Sequence, residues 1–174
     1  MSETENLIDI LVVIDAESVM QQFTPSSDAG KPTSIGSNPN LIYMFVKWDE
    51  VISGDASSGL SVSVSPNNII RWRGTSLALN THYSVVLTAC EFTQGQNLIS
   101  SPAPITPSVS VPLPQLNGNV VVTNPLPLQN IQDFYFQSVA LDTGKVTYTF
   151  SFAVTNNDGN VLGYFKWDPS LVVS

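Results

Sequence analysis

The chain has 174 residues, enough for one domain with a sizeable core, and a single cysteine, Cys90, which excludes an internal disulfide framework. Its net charge is −8 with only six Lys plus Arg, so the basic clusters that hold nucleic acid or an anionic membrane are missing. Charged residues make up 11% of the sequence, against about 25% in an average soluble domain, so its polar surface is largely Ser, Thr, Asn and Gln. Such a surface is cheap to desolvate in a protein contact, because short side chains lose little entropy when fixed.

The opening segment carries two glutamates before a short apolar run, without the basic region of a secretory signal, and no apolar run is long enough to span a bilayer. A cytoplasmic location is expected. Leu7 to Asp15 is an apolar run read as a buried, internal strand. Ala16 to Phe23 has the composition for two helical turns, with Asp15 as N-cap and Pro25 ending it. Residues 1–6 are expected as a tail, and 24–40 as a long loop dense in Ser, Gly and Pro.

Strand signals then dominate. Asn40 to Glu50 is apolar and aromatic and ends on Lys47-Trp48-Asp49. Leu60 to Val64 alternates strictly, Ser65 to Asn68 is a turn, and Ile69 to Gly74 and His82 to Phe92 follow as strands. Residues 93–118 are expected as a second long loop. Its five prolines between Ser101 and Pro114 limit Ile105 to Val111 to an edge strand at best. Asn119 to Thr123 and Phe134 to Leu141 are short strands. Val146 to Val154 alternates most cleanly, with Val146, Tyr148, Phe150, Phe152 and Val154 on one face. Asn157 to Asn160 reads as a hairpin turn with Asp158-Gly159 central, and Val161 to Asp168 as the return strand. The pattern predicts an all-β fold, a single antiparallel β-sandwich over residues 1–174, with jelly-roll or immunoglobulin-like connections.

All three tryptophans are flanked by charges: Lys47-Trp48-Asp49, Arg71-Trp72-Arg73 and Lys166-Trp167-Asp168. In a strand the neighbours of a residue point to the opposite face, so each ring and its two charges part company. The plain reading buries all three rings between two sheets and leaves the charges in solvent, where they discourage edge pairing. The alternative turns the rings outward to stack on a sugar, with the charges bonding hydroxyls. These nine residues are the candidate ligand or interface positions.

Chemistry has little to work with. One continuous strand would place the lone His82 and Cys90 roughly 26 Å apart, beyond the reach of a dyad. Zinc needs clustered His or Cys, and Asn156 to Asn160 lacks the glutamate that closes a calcium loop. No catalytic residue, cofactor or metal is expected.

The sequence as a whole resembles the AidA/PixA family of bacterial inclusion-body proteins. The likeness rests on IDILVVIDAESV (8–19), NPNLIYMFVKWDEVISGDASS (38–58), IIRWRGTSLALNTHYSVVL (69–87) and GYFKWDP (163–169). It implies a protein that accumulates as intracellular inclusions or is made under cell-density control, with no enzymatic activity and no catalytic residues to carry over. The inclusion-forming branch is noted for methionine, and three methionines, Met1, Met20 and Met44, place this chain closer to the AidA side. The expected partner is the chain itself, as a homodimer or larger assembly; a carbohydrate-binding, lectin-like module is the alternative.

Overall fold

The computed structural model describes residues 7–36, 38, 40–78, 81–122 and 124–173, so the tail expected at 1–6 lies outside the described residues. In chain order the strands are β1 (Leu7–Ile14), β2 (Thr33–Ser34), β3 (Ile42–Phe45), β4 (Val51–Ser53), β5 (Ser61–Val64), β6 (Ile69–Ser76), β7 (Ser84–Gln94) and β8 (Ala103–Ile105). They continue as β9 (Ser108–Pro112), β10 (Gln115–Asn117), β11 (Val120–Val122), β12 (Leu128–Gln132), β13 (Tyr135–Val139), β14 (Gly144–Thr155), β15 (Val161–Trp167) and β16 (Ser170–Val173). One helix, α1 (Ala16–Gln22), follows β1.

β1 is internal, as its continuous apolar run requires: Ile8, Ile10, Val12 and Ile14 are buried on one face. It pairs antiparallel with β3 and parallel with β6, inside a five-stranded sheet of order β3-β1-β6-β13-β8. The second sheet has seven strands, in the order β2-β15-β14-β16-β5-β4, with β7 on the other edge of β14. The fold is all-β and sandwich-like, but its sheets are mixed rather than purely antiparallel, because β1–β6, β15–β2 and β16–β5 run parallel. A parallel pair needs a long crossover, and for β1–β6 the chain through α1, β3, β4 and β5 supplies it.

β14 organises the interior. Val146, Tyr148, Phe150, Phe152 and Val154 are all buried, as the alternation predicts. Phe150 stacks on Trp167 with ring centroids 5.3 Å apart, and Phe152 on Phe165 at 5.6 Å. From the facing sheet, Trp72 meets Tyr148 and Phe150 edge-on. Offset and edge-on pairs suit the ring quadrupole. Asp15 caps α1 as expected, accepting from the Ser18 N–H at 3.0 Å and the Ser18 hydroxyl at 2.7 Å. The β14–β15 turn falls one residue earlier than expected: Gly159 N–H donates to the Asn156 carbonyl at 3.1 Å, and Gly159 itself takes φ 79°. That is a type I turn closed by a left-handed glycine, a common three-residue hairpin.

The stretch 93–118 is not a loop. It carries the end of β7 and then β8, β9 and β10, which climb one side of a long hairpin and return as β11, β12 and β13. Pro104 and Pro112 take paired positions, opposite Phe136 and Leu128, while Pro102, Pro107 and Pro114 fall between the short paired segments. Pro107 accepts from the Asp133 N–H at 2.9 Å, and Pro127 from the Leu113 N–H at 2.8 Å, so even the gaps are tied by carbonyls that proline retains. Residues 24–40 match the loop reading better: among the described residues there, the pairing is confined to two-residue β2 and a bridge from Ser26 to Tyr164.

Candidate functional site

The three tryptophan triplets part ways. Trp72 and Trp167 are buried between the sheets, as expected. Trp48 is not: it is 83% exposed, so the expectation that all three rings are buried fails there. The chain leaves the edge of β3 after Phe45, and Trp48–Glu50 form a single 3-10 turn instead of more strand. With no partner strand, the alternation that would turn Trp48 inward is lost. The turn is held by Glu50 N–H to the Lys47 carbonyl at 3.0 Å, and Lys47 Nζ lies 3.6 Å from Glu50. Burial pushes the Glu50 carboxyl up, and Lys47 acts against that shift. Asp49 is exposed beside the ring.

The second triplet builds a cluster on the outer face of the five-stranded sheet. Arg71 forms a two-bonded pair with Asp9 of β1, at 2.6 and 2.7 Å, as register Asp9↔Arg71 dictates. Arg73 pairs with Asp133, at the root of the hairpin arm. Tyr135 lies between them, with the two guanidinium carbons 5.3 and 5.9 Å from its ring centroid. The guanidinium of Arg71 is held more firmly protonated, chiefly by its bond to Asp9. Asp9, Leu11, Arg71, Arg73 and Tyr135 line a shallow cleft here. Both cations already have carboxylate partners, so the cleft is an ion-paired surface rather than an open anion site. Asp9, Asp133 and Tyr135 are legible only once β1, β6 and β13 are placed side by side.

In the third triplet Trp167 lies opposite Phe150 in the β14–β15 ladder, and its indole N–H is without a hydrogen-bond partner. Lys166 is half-buried, and Asp168 accepts from the Thr149 hydroxyl. The structure therefore does not gather the nine candidate residues into one site.

Cys90 and His82 also stay apart. Cys90 packs against the core opposite Phe150, where burial pushes its thiol well up and makes it a poor nucleophile. His82 lines a separate surface hollow with Glu17 and Tyr83. Among the described residues no group of three His, Cys, Asp or Glu is placed to hold a metal. No helix among them is long and apolar enough to cross a membrane.

The arm carries several large apolar side chains in the open. Leu116 and Val120 are each 69% exposed and Leu128 is 67% exposed, with Leu113, Val121 and Ile131 also open. From Phe92 to Gln132 the sequence contains no Asp, Glu, Lys, Arg or His. That gap is readable in the sequence, where the prolines by themselves do not reveal the arm.

The sequence model of the PixA family, described as an inclusion body protein, matches residues 6–173. The chain belongs to the PixA inclusion body protein family. No curated protein matches it. Among solved structures it is similar to the crystal structure of a PixA inclusion body protein from Burkholderia cenocepacia J2315, with a TM-score of 0.78 at 23% identity. The match covers 100% of this chain and 99% of that one, so the two share a fold from end to end.

Proposed function

We propose that this PixA-family protein is a non-enzymatic, self-assembling protein of the cell interior that packs into dense particles. The observation that carries the reading is the arm: a hairpin with large apolar side chains in the open, free of charge, and not covered by any of the described residues. Large apolar residues gathered in the open on one arm favour an interaction site more than the same residues scattered singly would. The low charged content of the rest of the surface lowers the desolvation cost of further contacts. Eight net negative charges oppose assembly, so added salt, or acid approaching the sequence pI of 4.2, should promote it. Light scattering across protein concentration and salt tests this. Particle mass that rises with both supports it; a strict monomer at millimolar protein and moderate salt overturns it.

Carbohydrate binding is a second reading, and exposed Trp48 is the one observation in its favour. A glycan array with Trp48→Ala as control separates the two, since only a lectin gives signal that the substitution removes.

A further inference from the structure

Two exposed apolar features of this chain lie on opposite sides of one sheet. The arm prolongs β8 and β13, which end the order β3-β1-β6-β13-β8, and Trp48 follows β3, which begins it. The edge strands β3 and β8 are four strand spacings apart, roughly 19 Å at about 4.8 Å each. We propose that the arm of one molecule seats on the Trp48 side of a second copy, head to tail. The proposal deepens the self-assembly reading and rests on it.

Charge selects the occupant. Every ionisable side chain of the protein lies outside residues 92–132, so contact through the uncharged arm keeps two bodies of net charge −8 further apart than body-to-body contact does and lowers their repulsion. The mode of contact is also constrained. Pro112, Pro114, Pro125 and Pro127 stud the middle of the arm and cannot donate to a new ladder, so the arm is poorly suited to joining a neighbour by strand addition. Its contacts are then made by side-chain faces. Leu116 and Val121 are cross-strand partners, and both are open to solvent. A flat indole is the natural counterpart to such an aliphatic pair, and tryptophan is the residue most often found as the central anchor of an interface.

Trp48 is also held ready. Its backbone is fixed by the 3-10 turn and by the Lys47–Glu50 pair, so little order has to be gained when a partner arrives. An indole this exposed contributes little burial to its own fold. Because the two features are distinct and far apart, a copy that has used its arm still offers Trp48, and one that has used Trp48 still offers its arm. A contact of this kind is heterologous, so it builds rings or open-ended particles rather than a two-fold dimer.

Sedimentation velocity on Trp48→Ala, on Leu116→Asp and on their equimolar mixture tests the inference. Both positions are exposed, and near-UV circular dichroism confirms that each variant keeps the native core. Each variant alone should raise the assembly midpoint by about thirtyfold or more, the loss expected of a central anchor. The mixture should recover a species of two chains and stop there, because one variant keeps the arm and the other keeps Trp48. Assembly of both variants at the wild-type midpoint overturns the inference, as does a mixture no larger than its components. A Leu116→Asp defect with normal assembly of Trp48→Ala points instead to arm-on-arm pairing and equally overturns it. A wild-type chain that never assembles removes the self-assembly reading itself, whereas wild-type assembly indifferent to both substitutions removes only this contact.

Discussion

Trp72 donates its indole N–H to the Tyr148 hydroxyl at 3.2 Å, across the interior from the five-stranded sheet to the seven-stranded one. Both side chains are buried, so neither group has water as an alternative partner. Tyr148→Phe keeps the ring and strands the indole N–H. The expected cost is about 1–3 kcal/mol, the penalty of a buried donor left unmade. Urea unfolding should show an earlier midpoint with an unchanged slope. An unchanged midpoint would mean that the bond contributes nothing to holding the sheets together.

Fluorescence should divide the tryptophans into two populations. Trp72 and Trp167 emit from an apolar interior, and Trp48 from solvent. Under conditions where the protein is monomeric, acrylamide should quench one component readily and leave a blue-shifted remainder. Trp48→Phe should abolish the accessible component without changing the unfolding free energy by more than about 0.5 kcal/mol, as for other exposed positions. A single, uniformly protected population would contradict the placement of Trp48.

Lys47-Trp48-Asp49 and Lys166-Trp167-Asp168 show what was legible in the sequence and what was not. The triplets are identical, yet one ring is buried and the other is in solvent. Trp167 remains in a ladder opposite Phe150, and Trp48 follows a strand that ends at Phe45. The difference lies in a partner strand far away in the chain, which local alternation does not encode. β14 was legible because its two-residue period spans most of a twelve-residue strand packed on one face. The helix was legible because Asp15, Ser18 and Pro25 signal its ends locally. The parallel pairing of β1 with β6 was not, since parallel register is set by tertiary topology. The same applies to the Arg71–Tyr135–Arg73 cluster, whose three side chains come from two strands that only the fold makes neighbours.

Gly163 sits where β15 passes the end of the 24–40 segment. A Cβ there would lie 2.2 Å from Cβ of Pro25 and 3.4 Å from the Phe165 ring. Neither neighbour is the free end of a flexible chain: proline is a closed ring, and Phe165 is stacked on Phe152. Gly163→Ala should therefore cost about 1–3 kcal/mol, as overpacking generally does. It should also break the Tyr164 N–H bond to the Ser26 carbonyl, 2.9 Å in the native chain, and speed proteolysis between 24 and 32. Native-like protease resistance in the variant would show that the segment yields without cost.

Cys90 makes the stability of the protein sensitive to alkali. Burial pushes its thiol up from the ordinary value of about 9, and the neighbouring Glu91 charge adds to the shift. The folded state therefore keeps the proton at a pH where the unfolded chain has released it. Below about pH 9 both states hold it, and the group contributes no pH dependence. Above that, the unfolded state binds fewer protons, so stability falls as pH rises, by up to about 1.4 kcal/mol per pH unit for one group. Tyr148 is shifted the same way by its burial and adds a second loss above its ordinary value of 10.0. Denaturant unfolding of the wild type and of Cys90→Ala between pH 7 and pH 10 reads the thiol together with its smaller effect on Tyr148, whose main shift comes from its own burial. The variant should start at a different stability, since a packed side chain is shortened, but between pH 9 and 10 its curve should fall less steeply than that of the wild type. Parallel curves would mean that the thiol ionises as readily in the fold as out of it. A reagent test runs alongside: an aromatic disulfide should label Cys90 slowly in the native protein at pH 8 and rapidly in denaturant, the behaviour of a thiol kept neutral in an apolar interior.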